Sequence, residues 1–338
     1  MTKIKVTVSG RTRPEVKEIL LRRKKPAAEL PVVGVVYDGH SGAHIKIIHG
    51  INEDAINDYC TFRLLHVRER TMEAVCEVIP PELFKEIDCF LVIGMKFTLL
   101  MQEFCKKRGT RDILYLGVRD AEKAGIINSS KNPGGTTSGV CMEREPEDAM
   151  AKRIVLFSRL IKKALVVHHT QCSFGRLEKQ AAEIKNILEG VGAEVCIERF
   201  EPGHAIESAL KERLMSFETI VFLEGCRLNT HARALAQESW YSEKLFIGGQ
   251  GMVSIDQGAP ISHGPDYLAL VPPALAMLRE WCRKKRSLGS FPVVILPSKR
   301  LLYVNVPLLR HLGNVEELLE ELDNRDDVVL IRHWPRSF

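Results

Sequence analysis

From Leu30 onward, short apolar runs alternate with longer amphipathic segments, the pattern of repeated β-α units that build a parallel sheet. PVVGVVYDG (31–39) predicts a buried strand that ends in a polar loop. A helix over 43–59 follows, then a strand in CTFRLLHV, a helix over 81–87, a strand in CFLVIG, a helix over 97–107 and a strand in ILYLGV. NSSKNPGGTTSG (128–139) is dense in Gly, Pro, Ser and Asn and reads as a loop or an inter-lobe crossing. The alternation then restarts. ALVVHH, AEVCIERF, TIVFLEG and KLFIGG read as strands, with helices over 176–190, 205–215 and 230–239. The two similar halves predict an α/β protein of two doubly wound parallel-sheet lobes. Ligands of such sheets bind at the carboxyl ends of the strands, so the loops after Tyr37, Gly94, Val118, His169, Gly225 and Gly249 are the candidate site.

Length supports this division, because 338 residues are enough for two lobes that each bury a core. The charge sum, 48 Lys and Arg against 43 Asp and Glu, is spread along the chain and too mild to imply nucleic acid. The nine cysteines are odd in number and widely spaced with no Cys-x-x-Cys pair, which argues against a metal site and a disulfide framework and fits a reducing compartment. The basic segment 1–30 contains no apolar run of signal-peptide type, and no later run approaches a membrane span. A cytoplasmic protein is expected, or a periplasmic or cell-surface one if the recorded start is wrong.

Several chemistries lose their support. There is no Gly-x-x-x-x-Gly-Lys-Ser/Thr, no Gly-x-Gly-x-x-Gly after the first strand, no Gly-x-Ser-x-Gly and no His-Glu-x-x-His. GGQGMV (248–253) follows a late strand and reads as a tight turn. His168, His169, Cys172 and His204 could be drawn as a metal cluster, but strand-end histidines more often hydrogen-bond loops. No cofactor or metal is expected, and no nucleophile and base can be paired by spacing.

Three segments carry a resemblance. SSKNPGGTTSGVCMEREPEDAMAKRIVLF is similar to the "KPGGNVTGV" stretch of the ABC-transporter substrate-binding family of tryptophan and tyrosine type. KLFIGGQGMVSIDQGAPISHGPDYLAL is similar to its "PVFAGDESMVKRGALATYGVDY", and VVILPSKRLLYVNVPLLRHLG to its closing "ELVVNLKTAKKLGI". The likeness runs from about Pro31 to Ile331. It implies a type I periplasmic-binding-protein clamshell, with lobe 1 from 31–150 plus 263–290, lobe 2 from 151–262 plus 291–331, a basic leader 1–30 and a tail 332–338. It also implies crossing hinge strands and non-catalytic binding of a small polar or aromatic, amino-acid-like ligand in an inter-lobe cleft that closes about its hinge. An ABC permease is the implied partner if the protein is exported. The alternative is a cytosolic regulatory or interaction protein that reuses the fold with a degenerate cleft.

The resemblance also places the ligand contacts. The first family loop falls on Asp38-Gly39-His40-Ser41, where His40 or Ser41 would bond a ligand or Ser41 would cap a helix. The family's Gly-Thr-Pro-Ala turn falls on Gly94-Met95-Lys96-Phe97, so Lys96 either pairs with an anion at a helix N-terminus or is solvated. Arg119 and Asp120 take the place of a polar pair, as ligand clamp or internal ion pair. His169, Gln171, Ser173 and Phe174 follow the first strand of lobe 2, and Phe174 either stacks on a ligand or packs in the core. Asn229 and Thr230 match an Asp-Asn-Thr element whose acidic member is Leu228 here. Gly249 and Gln250, ahead of Met252, stand where the family has Asp-Glu-Ser, so carboxylates that would hold a ligand ammonium are missing.

Overall fold

The structure, a computed structural model, describes residues 3–4, 19–20, 30–38, 42–53, 59–118, 120–143, 146, 148–169, 176–200, 213, 216–223, 229–297 and 300–333. The chain forms two compact units. Unit 1 is Met1–Arg144 with Tyr267–Pro297, and unit 2 is Glu145–Asp266 with Ser298–Phe338. The chain therefore passes from one unit to the other at 144/145, 266/267 and 297/298, where the sequence reading drew limits at 150, 262 and 290.

In unit 1 a two-residue ladder joins β1 (Lys3–Ile4) and β2 (Ile19–Leu20). The main sheet has six parallel strands in the order β13 (Val294–Leu296), β7 (Thr137–Met142), β6 (Asp112–Leu116), β5 (Cys89–Ile93), β3 (Val32–Tyr37) and β4 (Thr61–His66). β5 is buried at every position because helices cover both faces of the sheet, which is why its sequence is a continuous apolar run. One face of the sheet packs on α1 (Gly42–Glu53) and the returning helix Val271–Lys284, around Val33, Val35, Leu91 and Leu278. The other packs on α2 (Met72–Val78), α3 (Pro81–Glu86) and α4 (Met95–Arg108), around Val36, Phe84, Phe90 and Phe104.

α4 is the element that aims the site. Phe97, Met101, Phe104 and Cys105 are buried at helical spacing, so one stripe fixes the helix on the sheet. Lys106, Lys107 and Arg108 lie in its last turn, where cations favour the negative end of the helix dipole, and Gly109 ends it at φ 132°. Its first turn therefore starts directly after β5, at the carboxyl end of the sheet.

Unit 2 holds seven strands in the order β15 (Val328–Ile331), β14 (Arg300–Asn305), β12 (Ile261–Pro265), β11 (Leu245–Gly248), β10 (Thr219–Phe222), β8 (Lys163–His169) and β9 (Glu194–Phe200). All neighbours are parallel except the antiparallel β12–β14 pair. α5 (Ala149–Ile154) and α6 (Arg176–Gly190) cover one face, with Phe157, Ile184 and Leu302 in the core, and Asn229–Tyr241 covers the other, with Leu165, Phe222 and Phe246.

The structure corrects the sequence reading at several elements. α1 is described over Gly42–Glu53; of the rest of the helix expected over 43–59, residues 54–58 lie outside the described residues and Tyr59 is in a turn. α2, which no expected element covers, is capped by Thr71, whose hydroxyl accepts a hydrogen bond from the Ala74 N–H. The expected loop 128–139 ends earlier, because β7 begins at Thr137. Its Gly139 suits a strand here: a Cβ would lie 2.2 Å from the Tyr115 ring, so only glycine admits that side chain against the sheet. The expected helix 205–215 lies outside the described residues, apart from Arg213. Among the described residues no helix is long and apolar enough to cross a membrane, and no group of three or more His, Cys, Asp or Glu is placed to hold a metal ion.

Candidate functional site

The carboxyl edge of the unit 1 sheet carries a connected charged network. Asp38 directly follows β3, and its backbone N–H donates to Nδ1 of His44 on α1 at 3.0 Å. Its carboxylate accepts from the Arg70 guanidinium at 3.2 Å, and Arg70 sits in the turn that precedes α2. Phe97 of α4 closes the group from below: its ring lies 6.3 Å from the His44 ring and 5.9 Å from the Arg70 guanidinium carbon. Three elements that follow different strands thus converge on one aromatic side chain.

The hydrogen bonding fixes the state of His44. Because Nδ1 accepts the Asp38 N–H, the ring proton sits on Nε2, which makes Nε2–H a donor. Nε2 points at Gly94, where a Cβ would lie only 3.2 Å from it. Gly94 stands at φ 88°, and α4 begins at the next residue. Burial lowers the His44 pKa to about 4; Asp38 opposes that shift and Arg70 adds to it, so the ring is neutral at pH 7. The edge therefore presents the first turn of a 14-residue helix, a neutral N–H donor and a guanidinium. Free N–H groups at a helix start, with a cation beside them, suit an anionic group. Beside it, Tyr37 stacks on His66 with ring centroids 5.4 Å apart.

Of the residues expected in unit 1, Met95 is half-buried and Lys96 exposed in the first turn of α4. Phe97 is 1% exposed and belongs to the core that supports His44 and Arg70. Asp120 is exposed, in the left-handed region at φ 54°, and its carbonyl accepts the Ala124 N–H in the turn after β6. His40, Ser41 and Arg119 lie outside the described residues. His44 and Arg70 were not singled out from sequence. His44 fell inside an expected helix and so read as a helix-face residue; the Thr71 cap ahead of MEAVCEV was the available signal for a turn at Arg70.

The carboxyl edge of unit 2 is built differently. β11 ends at Gly248, and Gly249 and Gln250 are both buried. The Gln250 N–H donates to Ser254 Oγ at 3.2 Å, the Gly251 N–H to the His263 carbonyl at 3.3 Å, and the Ser262 hydroxyl to the Gly248 carbonyl at 3.1 Å. Gly251 adopts φ 57°, and a Cβ on Gly264 would lie 2.3 Å from its nitrogen, so two glycines let the backbones touch. The tight turn read from GGQGMV is present, and Met252, half-buried, opens the short helix Met252–Asp256. Gln250 is 5% exposed, and its Oε1 is buried with no hydrogen-bond partner among the described residues. A buried acceptor left unmade costs about 1–3 kcal/mol, a penalty that a donor from a ligand would relieve.

Elsewhere in unit 2, His169 ends β8, and Asn229 and Thr230 open the helix Asn229–Tyr241; the side chains of all three are outside the description. Gln171, Ser173 and Phe174 lie outside the described residues. Arg153 of α5 bonds His263 Nε2 at 2.7 Å and pairs with Asp327 at 3.2 Å, which ties α5 to β12 and to the start of β15.

No protein-family model matches the chain, and no curated protein matches it. Solved structures do. A "conserved domain protein" from Vibrio cholerae aligns with TM-score 0.63 at 12% identity, over 90% of this chain and 99% of its own. An "ABC domain in complex with L-Trp" from Streptococcus pneumonia aligns with TM-score 0.64 at 16% identity, over 88% and 100%. An ABC transporter solute-binding protein from Burkholderia graminis, in complex with D-arabinose, aligns with TM-score 0.55 at 11% identity, over 82% and 96%. At these identities the likeness is one of fold: two mostly parallel sheets with interleaved helices, as in type I periplasmic binding proteins.

Proposed function

We propose, from the substrate-binding-protein fold and the chemistry of its strand ends, that this chain binds a small metabolite without turning it over. The ligand's anionic group, a carboxylate in the simplest case, sits at the start of α4 in unit 1. The observation that carries this reading is the Asp38–His44–Arg70 network around Gly94. Met95 and Lys96 belong to the same site as its rim.

The rest of the ligand is polar and uncharged, or aromatic. Taken by itself, the unit 2 strand end has neutral Gly249 and Gln250 where the resembled family has carboxylates. An ammonium would forgo charge-assisted hydrogen bonds contributing roughly 1.5–3 kcal/mol each. An anionic ligand without a free ammonium is thus favoured over an α-amino acid. That L-Trp and D-arabinose occupy solved structures of this fold supports a pocket for a small polar or aromatic molecule.

A thermal-shift screen of the full chain against carboxylates, phosphorylated compounds, amino acids and sugars tests the reading. A ligand at 100 times its Kd stabilises by about 2.7 kcal/mol, a visible shift. The expected result is a shift with a carboxylate, lost in Arg70→Ala, with the ligand recovered chemically unchanged. A flat screen on protein shown by native mass spectrometry to carry no small molecule, or a product formed from the ligand, would overturn it.

A further inference from the structure

We infer that Cys60 and Cys282 are a redox-responsive dithiol, which a hydroperoxide entering at the amino edge of the unit 1 sheet converts to a disulfide. The inference is independent of the ligand reading, since it concerns the opposite edge of that sheet. Cys60 immediately precedes β4, and Cys282 lies in the last turn of the returning helix Val271–Lys284. Both pack in the same core of unit 1, and their chain neighbours meet: the Arg283 guanidinium donates to the Tyr59 hydroxyl at 2.8 Å and lies 5.0 Å from the centre of its ring. Cys60 is 1% exposed within the core that joins β3, β5 and that helix, whereas Cys282 is only partly buried. Cys282 lines a surface cavity of about 510 Å³ together with Asp88, Arg111, Asp112, Lys285 and Arg286. Cys282 is therefore the member of the pair that meets an open cavity while Cys60 is enclosed in the core, the arrangement of an attacking and a resolving cysteine.

The thiol states agree with these roles. The interaction with Cys60 holds the Cys282 thiol below its ordinary pKa, and the same interaction, followed by burial, raises that of Cys60. Burial instead raises the thiols of Cys89, Cys105 and Cys141, so these are poor nucleophiles.

In the first step the Cys282 thiolate attacks a peroxide oxygen. The attack is on the terminal oxygen: the O–O bond breaks, the alkoxide (hydroxide from hydrogen peroxide) leaves and takes up the proton that the Cys282 thiol released, and Cys282 becomes a sulfenic acid. In the second, the Cys60 sulfur gives up its proton and displaces the sulfenic hydroxyl, which leaves as water while the S–S bond forms. Two thiols and one hydroperoxide give one disulfide, one water and the alcohol of the peroxide, or a second water from hydrogen peroxide. The bond would join Met1–Arg144 to Tyr267–Pro297, the two chain segments of unit 1, and so constrain its unfolded state.

The test is titration of the reduced full chain with hydrogen peroxide, followed by non-reducing peptide mapping. The expected result is a linked Cys60–Cys282 peptide, a rise of about 4 °C or more in Tm, and reversal of both by dithiothreitol. Cys60→Ala is expected to leave a sulfenic acid on Cys282 that dimedone traps, and Cys282→Ser to abolish the link. Should Cys60→Ala fail to fold, the wild-type map and the pH dependence of iodoacetamide labelling decide, with Cys282 labelling at a pH below that of an ordinary thiol. A link from Cys282 to Cys89, or Cys282 left unmodified at peroxide doses that oxidise free glutathione, would overturn the inference.

Discussion

The two units share a scaffold of parallel strands and covering helices but finish their carboxyl edges with opposite chemistry. Unit 1 ends its strands in a charged network of Asp38, His44 and Arg70 resting on Phe97. Unit 2 ends β11 in neutral groups and close backbone contacts, with Gly251 against Gly264 and a buried Gln250 amide. The sheet fixes where polar groups are presented, and the loop residues decide which ligand atoms they suit. The anion proposed above matches the chemistry of the first edge, whereas the second edge, taken by itself, offers only neutral hydrogen-bonding groups.

The largest effect that would break this contrast comes from removing the aromatic floor of the charged edge. Phe97→Ala deletes a fully buried ring and is expected to cost about 3–5 kcal/mol, measured by urea unfolding of the full chain. Next is acid. His44 has a folded pKa of about 4 against an ordinary 6.5, so between these values the unfolded chain binds more protons than the folded one. Stability is therefore complete above about pH 6.5 and falls as pH drops toward 4, by about 3 kcal/mol in all. His44→Gln should flatten that part of the profile, and an unchanged slope would remove His44 as its source.

On the neutral edge, Gly264→Ala sets a methyl group 2.3 Å from the Gly251 nitrogen, where only backbone movement can make room. A loss of about 1–3 kcal/mol is expected in the same assay, with unit 1's response to acid preserved. The smallest effect is at Lys96, whose exposed side chain is expected to change stability by less than about 0.5 kcal/mol when replaced by Ala. Its removal should weaken a carboxylate ligand modestly and more at low salt than at high salt, which a titration at two ionic strengths reads directly.

Much of the architecture was legible in the chain. VVGVVY and CFLVI read as strands and are strands, and 176–190 reads as a helix whose structure is Arg176–Gly190. What escaped was short or glycine-bearing: α2 has seven residues, and β7 carries Gly139, whose role appears only once the Tyr115 ring is placed against it. At the candidate site, the apolar pattern alone starts the helix at 97, two residues after its true start at Met95; it is the family resemblance that puts a helix N-terminus at Gly94-Met95-Lys96. His44 and Arg70 were missed because they are distant in sequence and gain their meaning only through Asp38 and Phe97. Linear patterns report which face of an element is buried, whereas a charged cluster depends on which loops the sheet order brings together.

The most direct test of the central claim is a calorimetric titration of wild type and Arg70→Gln with a carboxylate ligand and its primary amide. Wild type is predicted to bind the carboxylate at least about tenfold more tightly, a difference of about 1.4 kcal/mol, and Arg70→Gln to lose most of that preference. Equal binding of carboxylate and amide by wild type, or a preference that survives in Arg70→Gln, would contradict an anion site at the unit 1 edge.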